Sequence, residues 1–468
     1  MEKYDLCVIG GGIGGFTAAA LAAQLGARVV LAERAKFGGA VVGGALGLRA
    51  LAAAANAAHA ARQAASFGIR TGPVDTDMRA VRARVQRIVD AGAANFSETR
   101  AAGFGITAVK GAAAFAGTDT VSVGGQIIKA RRYVIATGAA PLLPPIRGIE
   151  TVPTLSATSA LCLEELPRRL IVLGGEPSGI EIAQAFRRLG SPVTLIAPAG
   201  LLTQEDGEAV EMIRTSLRHD GIDIVEGVPV SAIAEKDGAV VLAFAEKRFD
   251  AVDGSHLLID AGYQPSLSTL NLAAAGIEAT ERGIVVDRGL RTTNRRVYAI
   301  GDCTGVRGLA RLAAEHAETV VRRALFRLPV RASAVASRSV FTAPELAHVG
   351  MTEAEARRAT RDLVVLRWPV AENDRARAEG ATVGMAKVLT SQRGRVLGAT
   401  IVGPQAGDLI GPWALAVRKG LGVRDIGDLP ATYGTFGDIN VRLAQSASLL
   451  RLLSPLTRGL VRLLAHID

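Results

Sequence analysis

Cysteine is scarce in this chain of 468 residues: Cys7, Cys162 and Cys303 are the only three, far apart and in neither a CxxC nor a zinc-ligand spacing. Its six histidines form no HExxH or similar cluster. No metal site is expected from either residue type. Aromatic residues make up only 4% of the chain, and no long basic block or aromatic-rich basic stripe is present. The net charge of +10, from 54 basic and 44 acidic residues, is therefore read as solubility, with an anionic ligand as a further option, and not as nucleic-acid binding. No run of 18 apolar residues suggests a membrane-spanning helix. Met1 to Asp5 leads straight into an apolar run, which leaves no room for a signal peptide. A cytoplasmic location is the expectation.

What is present is a globular composition, 49% hydrophobic, on a chain too long for one core. Two or three domains are expected. The stretch Leu6 to Glu33 organises the rest: an apolar run to Ile9 breaks at Gly10-x-Gly12-x-x-Gly15, passes through an alanine-rich helical stretch and returns as an apolar run ending on Glu33. This is the pattern of a βαβ dinucleotide-binding unit. Gly10 permits the tight turn, Gly12 lets backbone approach a pyrophosphate, Gly15 lets helix pack on strand, and Glu33 is placed for a ribose 2′-hydroxyl.

Further motifs follow in order. Gly111 to Val123 reads as a turn and strand. Tyr133-Val-Ile-Ala-Thr-Gly138 is followed by Pro141 to Gly148, and Val297-Tyr-Ala-Ile-Gly-Asp302 is an apolar strand ended by Gly-Asp. With Gly38-Gly39 and the helix after Arg49, these resemble the flavoprotein disulfide reductases, which include dihydrolipoamide dehydrogenase, glutathione reductase and mercuric reductase. The resemblance runs from Tyr4 to about Val441. It implies an α/β fold with two Rossmann-like nucleotide-binding domains, for FAD and NAD(P), and a C-terminal α+β dimerisation domain. The expected boundaries are 1–148 with 265–332 for FAD, 149–264 for the NAD(P)-like domain, 335–448 for dimerisation, and 449–468 as an apolar, basic tail. By the same resemblance Gly10, Gly12, Gly15, Glu33, Arg49, Ala113, Gly138, Asp302 and Ala310 hold FAD.

Relatives carry a CxxxxC redox pair after the Gly-Gly, where Val41 and Leu46 stand here. Neither side chain can form a thiolate or exchange a disulfide. Two readings stand: a merely structural loop, or four glycines and two alanines from Gly39 to Gly47 that open space over the flavin. Arg49 matches the family's lysine beside the flavin, and Glu181 the glutamate that pairs with it. The pair is read equally as a catalytic cation or as an ordinary salt bridge.

The second nucleotide unit begins at Leu170. Aligned on Glu181, its fingerprint positions are Gly174, Glu176 and Gly179, so glutamate replaces the middle glycine. The acid expected eighteen residues after the last glycine is Ala197. NADH against NADPH stays open, leaning to NADPH. A carboxylate about 5 Å from a pyrophosphate charge costs roughly 3 kcal/mol at an effective dielectric near 20. Near the C-terminus, Tyr433 takes the place of the family's catalytic histidine and Asp438 that of its glutamate. Tyr433 is read as a hydrogen-bond donor to a carbonyl or as a packing residue. The tail from Leu449 to Leu464 carries three arginines and is broken by Pro455, so it docks on the protein itself or weakly on an anionic membrane surface.

The implied activity is that of a homodimeric FAD enzyme without a redox disulfide, passing hydride from NADH or NADPH through the flavin to a small-molecule acceptor such as a quinone. By this reading it is not a disulfide or mercuric reductase. The alternatives are direct oxidation of an organic substrate without NAD(P), or a non-catalytic flavin-bound partner subunit.

Overall fold

The structure is a computed structural model that describes residues 3–246, 248–306, 308–333, 335–452 and 455–465, with side chains described outside residue 3 and 448–456. The chain divides into two compact units, residues 1–199 with 224–334, and residues 200–223 with 335–468.

The first unit opens with β1 (Lys3–Ile9), α1 (Ile13–Gln24) and β2 (Val29–Glu33), with both strands parallel, so the fingerprint glycines lie in the strand-to-helix turn. Next come α2 (Gly47–Gln63), α3 (Met78–Ala93) and α4 (Glu98–Gly103), followed by β3 (Thr107–Lys110), β4 (Ala113–Gly117), β5 (Thr120–Val123) and β6 (Gln126–Ile135). A short β7 (Ala139–Pro141) carries the chain on to β8 (Thr154–Leu155), α5 (Ala157–Ala160), β9 (Leu170–Leu173), α6 (Pro177–Leu189) and β10 (Val193–Ala197). The helix α7 (Gly207–His219) belongs to the second unit. After it the chain forms β11 (Asp223–Glu226), β12 (Val230–Lys236), β13 (Ala239–Phe244), β14 (Val252–Gly254), β15 (His256–Ile259) and β16 (Tyr263–Pro265). The hairpin of β17 (Ala279–Thr280) and β18 (Gly283–Ile284) precedes β19 (Val297–Ala299) and α8 (Ala310–Phe326).

These strands build a seven-stranded mixed sheet in the order β3-β2-β1-β6-β5-β4, with β19 also on β6, and a five-stranded sheet in the order β11-β10-β9-β15-β8. Alternation explains why the first sheet is covered on both faces. Leu6, Val8 and Leu31 point towards Phe16 and Ala18 of α1 and Val320 of α8. Cys7, Ile9, Val30 and Ala32 point the other way, towards Phe115 and Val121.

The stretch over Val41 and Leu46 is not a loop. Residues Val41–Leu46 wind as a π-helix that runs directly into α2, so the expectation of a loop is corrected. The helical run Val41–Phe67 is long and apolar enough to cross a membrane by length and composition only, a test that core helices also pass. Within the first unit it is a packed element, with α2 lying against α6 and α3.

In the second unit β20 (Ser337–Val340), β21 (Glu345–Gly350), β22 (Leu363–Pro369), β23 (Met385–Ser391) and β24 (Val396–Gly403) form an antiparallel sheet in the order β20-β21-β24-β23-β22. It is flanked by α9 (Glu353–Ala359), α10 (Asp374–Ala378), α11 (Ala406–Leu409), α12 (Gly411–Lys419), α13 (Val423–Gly427) and α14 (Asp438–Leu452). Trp413 is fully buried in this core, and its indole N–H donates to Asn440 at 2.7 Å. The tail resumes as α15 (Pro455–Leu464), with proline at its first position, where a missing N–H costs nothing. The two residues between these last helices, Leu453 and Ser454, lie outside the described residues, as do the side chains of the tail as far as Leu456.

Candidate functional site

In the first unit the turn after β1 is closed by contacts that admit only glycine at two positions. Gly10 has φ +104°, and a Cβ there would sit 2.4 Å from the Ala136 carbonyl oxygen. A Cβ on Gly15 would lie 1.9 Å from the Gly10 carbonyl oxygen. Gly12 is different: a Cβ there would meet nothing within 4 Å. The chain itself leaves that space open in front of the α1 N-terminus, which is the space a phosphate group needs. Glu33 ends β2 with its carboxylate accepting the Gly11 N–H at 2.6 Å and the Ala35 N–H at 2.7 Å. It lines a cleft together with Gly10, Ala113, Thr137 and Ser266. Glu33 is thereby oriented by backbone donors while lone pairs remain for sugar hydroxyls. Gly138 takes φ +67° at the turn after β6. Asp302 lies in the short helical turn Gly301–Thr304 after β19, and burial pushes its carboxyl upward. Ala310 is the first residue of α8. Open space at Gly12 together with these acceptors fits an adenine dinucleotide such as FAD.

Arg49 and Glu181 meet. The Arg49 guanidinium donates to Glu181 across α2 and α6, with the Glu181 side chain only 4% exposed. Beside them a Cβ on Gly43 would meet nothing within 4 Å, and one on Gly44 only Thr158 Oγ1 at 3.7 Å. Cys7 and Cys303 are buried, and burial pushes each thiol up to about 12, whereas Cys162 is exposed.

The second nucleotide unit repeats the first with changed chemistry. Gly174 has φ +139°, and its Cβ would fall 1.9 Å from the Asp260 carbonyl oxygen. Glu176 is the N-cap residue of α6, exposed and extended, and its side chain does not cap the helix. Ala197 ends β10 fully buried. Asp260 follows β15 and is 4% exposed. It accepts the Ser178 hydroxyl at 2.9 Å and the Gly179 N–H at 2.5 Å. Burial raises the Tyr263 phenol, reinforced by Asp260, Asp302 and Glu176 and opposed by Ser178. The fold thus suits a nicotinamide nucleotide, while the phosphate-facing end of α6 carries carboxylates. Asp260 was visible in the sequence only as an acid closing an apolar strand, a signal that does not reveal its hydrogen bonds.

In the second unit Tyr433 and Asp438 are not joined. The Tyr433 hydroxyl donates to Asp374 at 2.9 Å, and that hydrogen bond raises its pKa. Asp438 instead pairs with Arg442 at 2.5 Å, one turn along α14. Asp374 lies 59 positions from Tyr433, and no local pattern pointed to it.

Residues 4–320 match the pyridine nucleotide-disulphide oxidoreductase family, and residues 336–442 match its dimerisation domain. The chain belongs to this family. A mercuric reductase from Streptomyces lividans is 36% identical over 437 residues, covering 90% of this chain and 91% of the relative. A dihydrolipoyl dehydrogenase from Thermus scotoductus is 34% identical, covering 91% of this chain and 94% of the relative. Among solved structures, the HOCl-induced flavoprotein disulfide reductase RclA from Escherichia coli superposes with a TM-score of 0.85 at 29% identity, covering 94% of this chain and 99% of that one. The family resemblance and the α/β architecture read from the sequence are both borne out. The cofactors of this family are FAD and NAD(P)H. The expectation that the enzyme is neither a disulfide nor a mercuric reductase is overturned, because relatives bearing the names mercuric reductase and dihydrolipoyl dehydrogenase match nine-tenths or more of the chain.

Proposed function

We propose that this oxidoreductase passes hydride from NAD(P)H through FAD to a small acceptor such as a quinone, as a cytoplasmic homodimer. FAD supplies the redox chemistry, and the protein supplies binding, orientation and electrostatics. The observation that carries the reading is the open cradle at Gly12 between two positions that admit only glycine, with Glu33 held at its rim. Gly10, Gly12, Gly15, Glu33, Ala113, Gly138, Asp302 and Ala310 are assigned to FAD. Gly174, Glu176, Gly179 and Ala197 are assigned to the nicotinamide nucleotide. Arg49, held by Glu181, is assigned as a cation that favours negative charge on the cofactor. The Tyr433 hydroxyl gives its single proton to Asp374, so its assignment as a hydrogen-bond donor to a carbonyl requires that this hydrogen bond be exchanged. The space at Gly43 and Gly44 is assigned to the acceptor.

Anaerobic mixing tests the proposal. NADH or NADPH should bleach the flavin absorbance, and a quinone should restore it. Bleaching by neither nucleotide overturns the proposal. The carboxylates Glu176 and Asp260 at the α6 N-terminus favour one second reading, in which an organic substrate reduces FAD directly. Bleaching by such a substrate alone would select it.

A further inference from the structure

The two nucleotide units can be compared residue by residue within this one chain. In the first, β1 pairs with β6 so that Ile9 faces Ile135; in the second, β9 pairs with β15 so that Leu173 faces Ile259. The next pair along is Gly10 with Ala136 in the first unit and Gly174 with Asp260 in the second. The register is therefore the same, and so is the packing. A Cβ on Gly10 would meet the Ala136 carbonyl oxygen, as one on Gly174 would meet that of Asp260. The third glycine of each fingerprint lies over the same side chain. A Cβ on Gly15 would be 3.1 Å from the Ala136 Cβ, and one on Gly179 would be 2.9 Å from the Asp260 Cβ.

At this matched position the two units differ in kind. Ala136 ends at its methyl group, leaving the first turn of α1 with its N–H groups free of any carboxylate from that strand. Asp260 extends upward, and its carboxylate takes the Gly179 N–H and the Ser178 hydroxyl at the start of α6. Helix N-termini bind phosphate because their N–H groups lack partners and the macrodipole favours negative charge there. Here one N–H already has an anionic partner. Glu176 adds a second carboxylate at the N-cap.

We infer that Asp260 is a built-in anion of the nicotinamide nucleotide site, competing with the diphosphate for the α6 N-terminus and so setting nucleotide affinity. The inference rests on the reading that NAD(P)H is the electron donor. Asp260 is a specificity-determining residue here, because it acts on the ligand's charge through the helix end. The groups facing it are Ser178 and Gly179 of α6 and Tyr263 of β16, and Tyr263 in turn feels the charges of Glu176 and Asp302. Burial raises the Asp260 carboxyl above its ordinary range, against the two hydrogen bonds that favour its charge. Nucleotide affinity therefore rises as the pH falls and Asp260 takes up a proton.

The test is calorimetric titration of the FAD-loaded protein with NAD⁺ and with NADP⁺, which leave the flavin oxidised and report binding without turnover. Asp260→Ala copies Ala136 into the second unit. Asp260→Asn keeps an acceptor for the Gly179 N–H and removes only the charge. Both variants should bind at least one nucleotide about tenfold tighter or more, a fall of about one decade or more in the dissociation constant. The affinity of the unmodified protein should rise towards acid pH, and that of Asp260→Asn should change less. If Asp260→Ala fails to hold FAD, Asp260→Asn decides. Unchanged affinity in an FAD-retaining Asp260→Asn, while the unmodified protein binds nucleotide, overturns this inference and leaves the proposed function standing. Loss of stability in that variant without a gain in affinity marks Asp260 as a helix cap only and likewise overturns it. Failure of the parent and both variants to bind either nucleotide overturns both.

Discussion

Arg49 of α2 and Glu181 of α6, 132 positions apart, form an ion pair in which the carboxylate is almost wholly buried and the guanidinium about one-third exposed. The pair pins the helix that follows the Gly43–Gly44 opening to the helix that begins at the second nucleotide fingerprint. One contact thus serves packing and places a fixed positive charge.

Glu181→Gln should destabilise the FAD-bound protein by about 1.5–3 kcal/mol, the range for hydrogen bonds to charged groups, read from urea unfolding. Arg49→Met should slow flavin reduction by about tenfold, corresponding to about 1.4 kcal/mol of barrier, and shift the flavin absorbance band. Slower reduction with an unmoved spectrum would mark the pair as structural only.

Two of the fingerprint glycines should separate by phenotype. Gly12→Ala should fold, since its Cβ meets no protein atom within 4 Å, yet should weaken FAD binding by about tenfold or more. Gly15→Ala should fail to fold normally, because its Cβ would lie 1.9 Å from backbone. Flavin content and thermal melting of purified proteins distinguish the two outcomes. Normal FAD affinity in Gly12→Ala would count against the cradle.

Tyr433 is 74% exposed, so its raised phenol pKa reflects the Asp374 hydrogen bond before anything else. Asp374→Asn should bring that pKa down towards its ordinary value, seen in the ultraviolet tyrosinate band as the difference from Tyr433→Phe. An unshifted titration would show that the hydrogen bond does not form in solution.

A buried charge cluster should govern acid stability in the second unit. Lys387, 3% exposed, lies 2.8 Å from Asp206, 2.5 Å from Glu353 and 3.4 Å from Glu208, while Arg367 holds Glu208 at 2.6 Å. The Arg367 hydrogen bond lowers the Glu208 carboxyl to about 2 from an ordinary 4.5, and Lys387 lowers Glu353 in the same direction. Groups depressed on folding stabilise the protein above their unfolded pKa and lose that contribution as the pH falls through the folded one. Stability should therefore decline from about pH 4.5 towards about pH 2, where Glu208 protonates. Lys387→Met should remove about 3–5 kcal/mol by leaving the buried Asp206 carboxylate uncompensated, and urea unfolding against pH checks both effects.

The sequence alone determined the first βαβ unit and the order of the flavin motifs, and through these the resemblance to the family. Each of these rests on local periodicity or on glycines spaced within one turn, and such patterns survive without knowledge of distant neighbours. The helical nature of Val41–Leu46 escaped it, because a glycine-rich stretch carries no helical period and becomes helical by continuing into α2. Only the tertiary structure decided that Tyr433 bonds to Asp374 and not to Asp438, and that Asp260 fills the α6 N-terminus where Ala136 leaves α1 open. Those relations join residues 59 and 81 positions apart. They depend on strand register and helix placement, which no short sequence window contains.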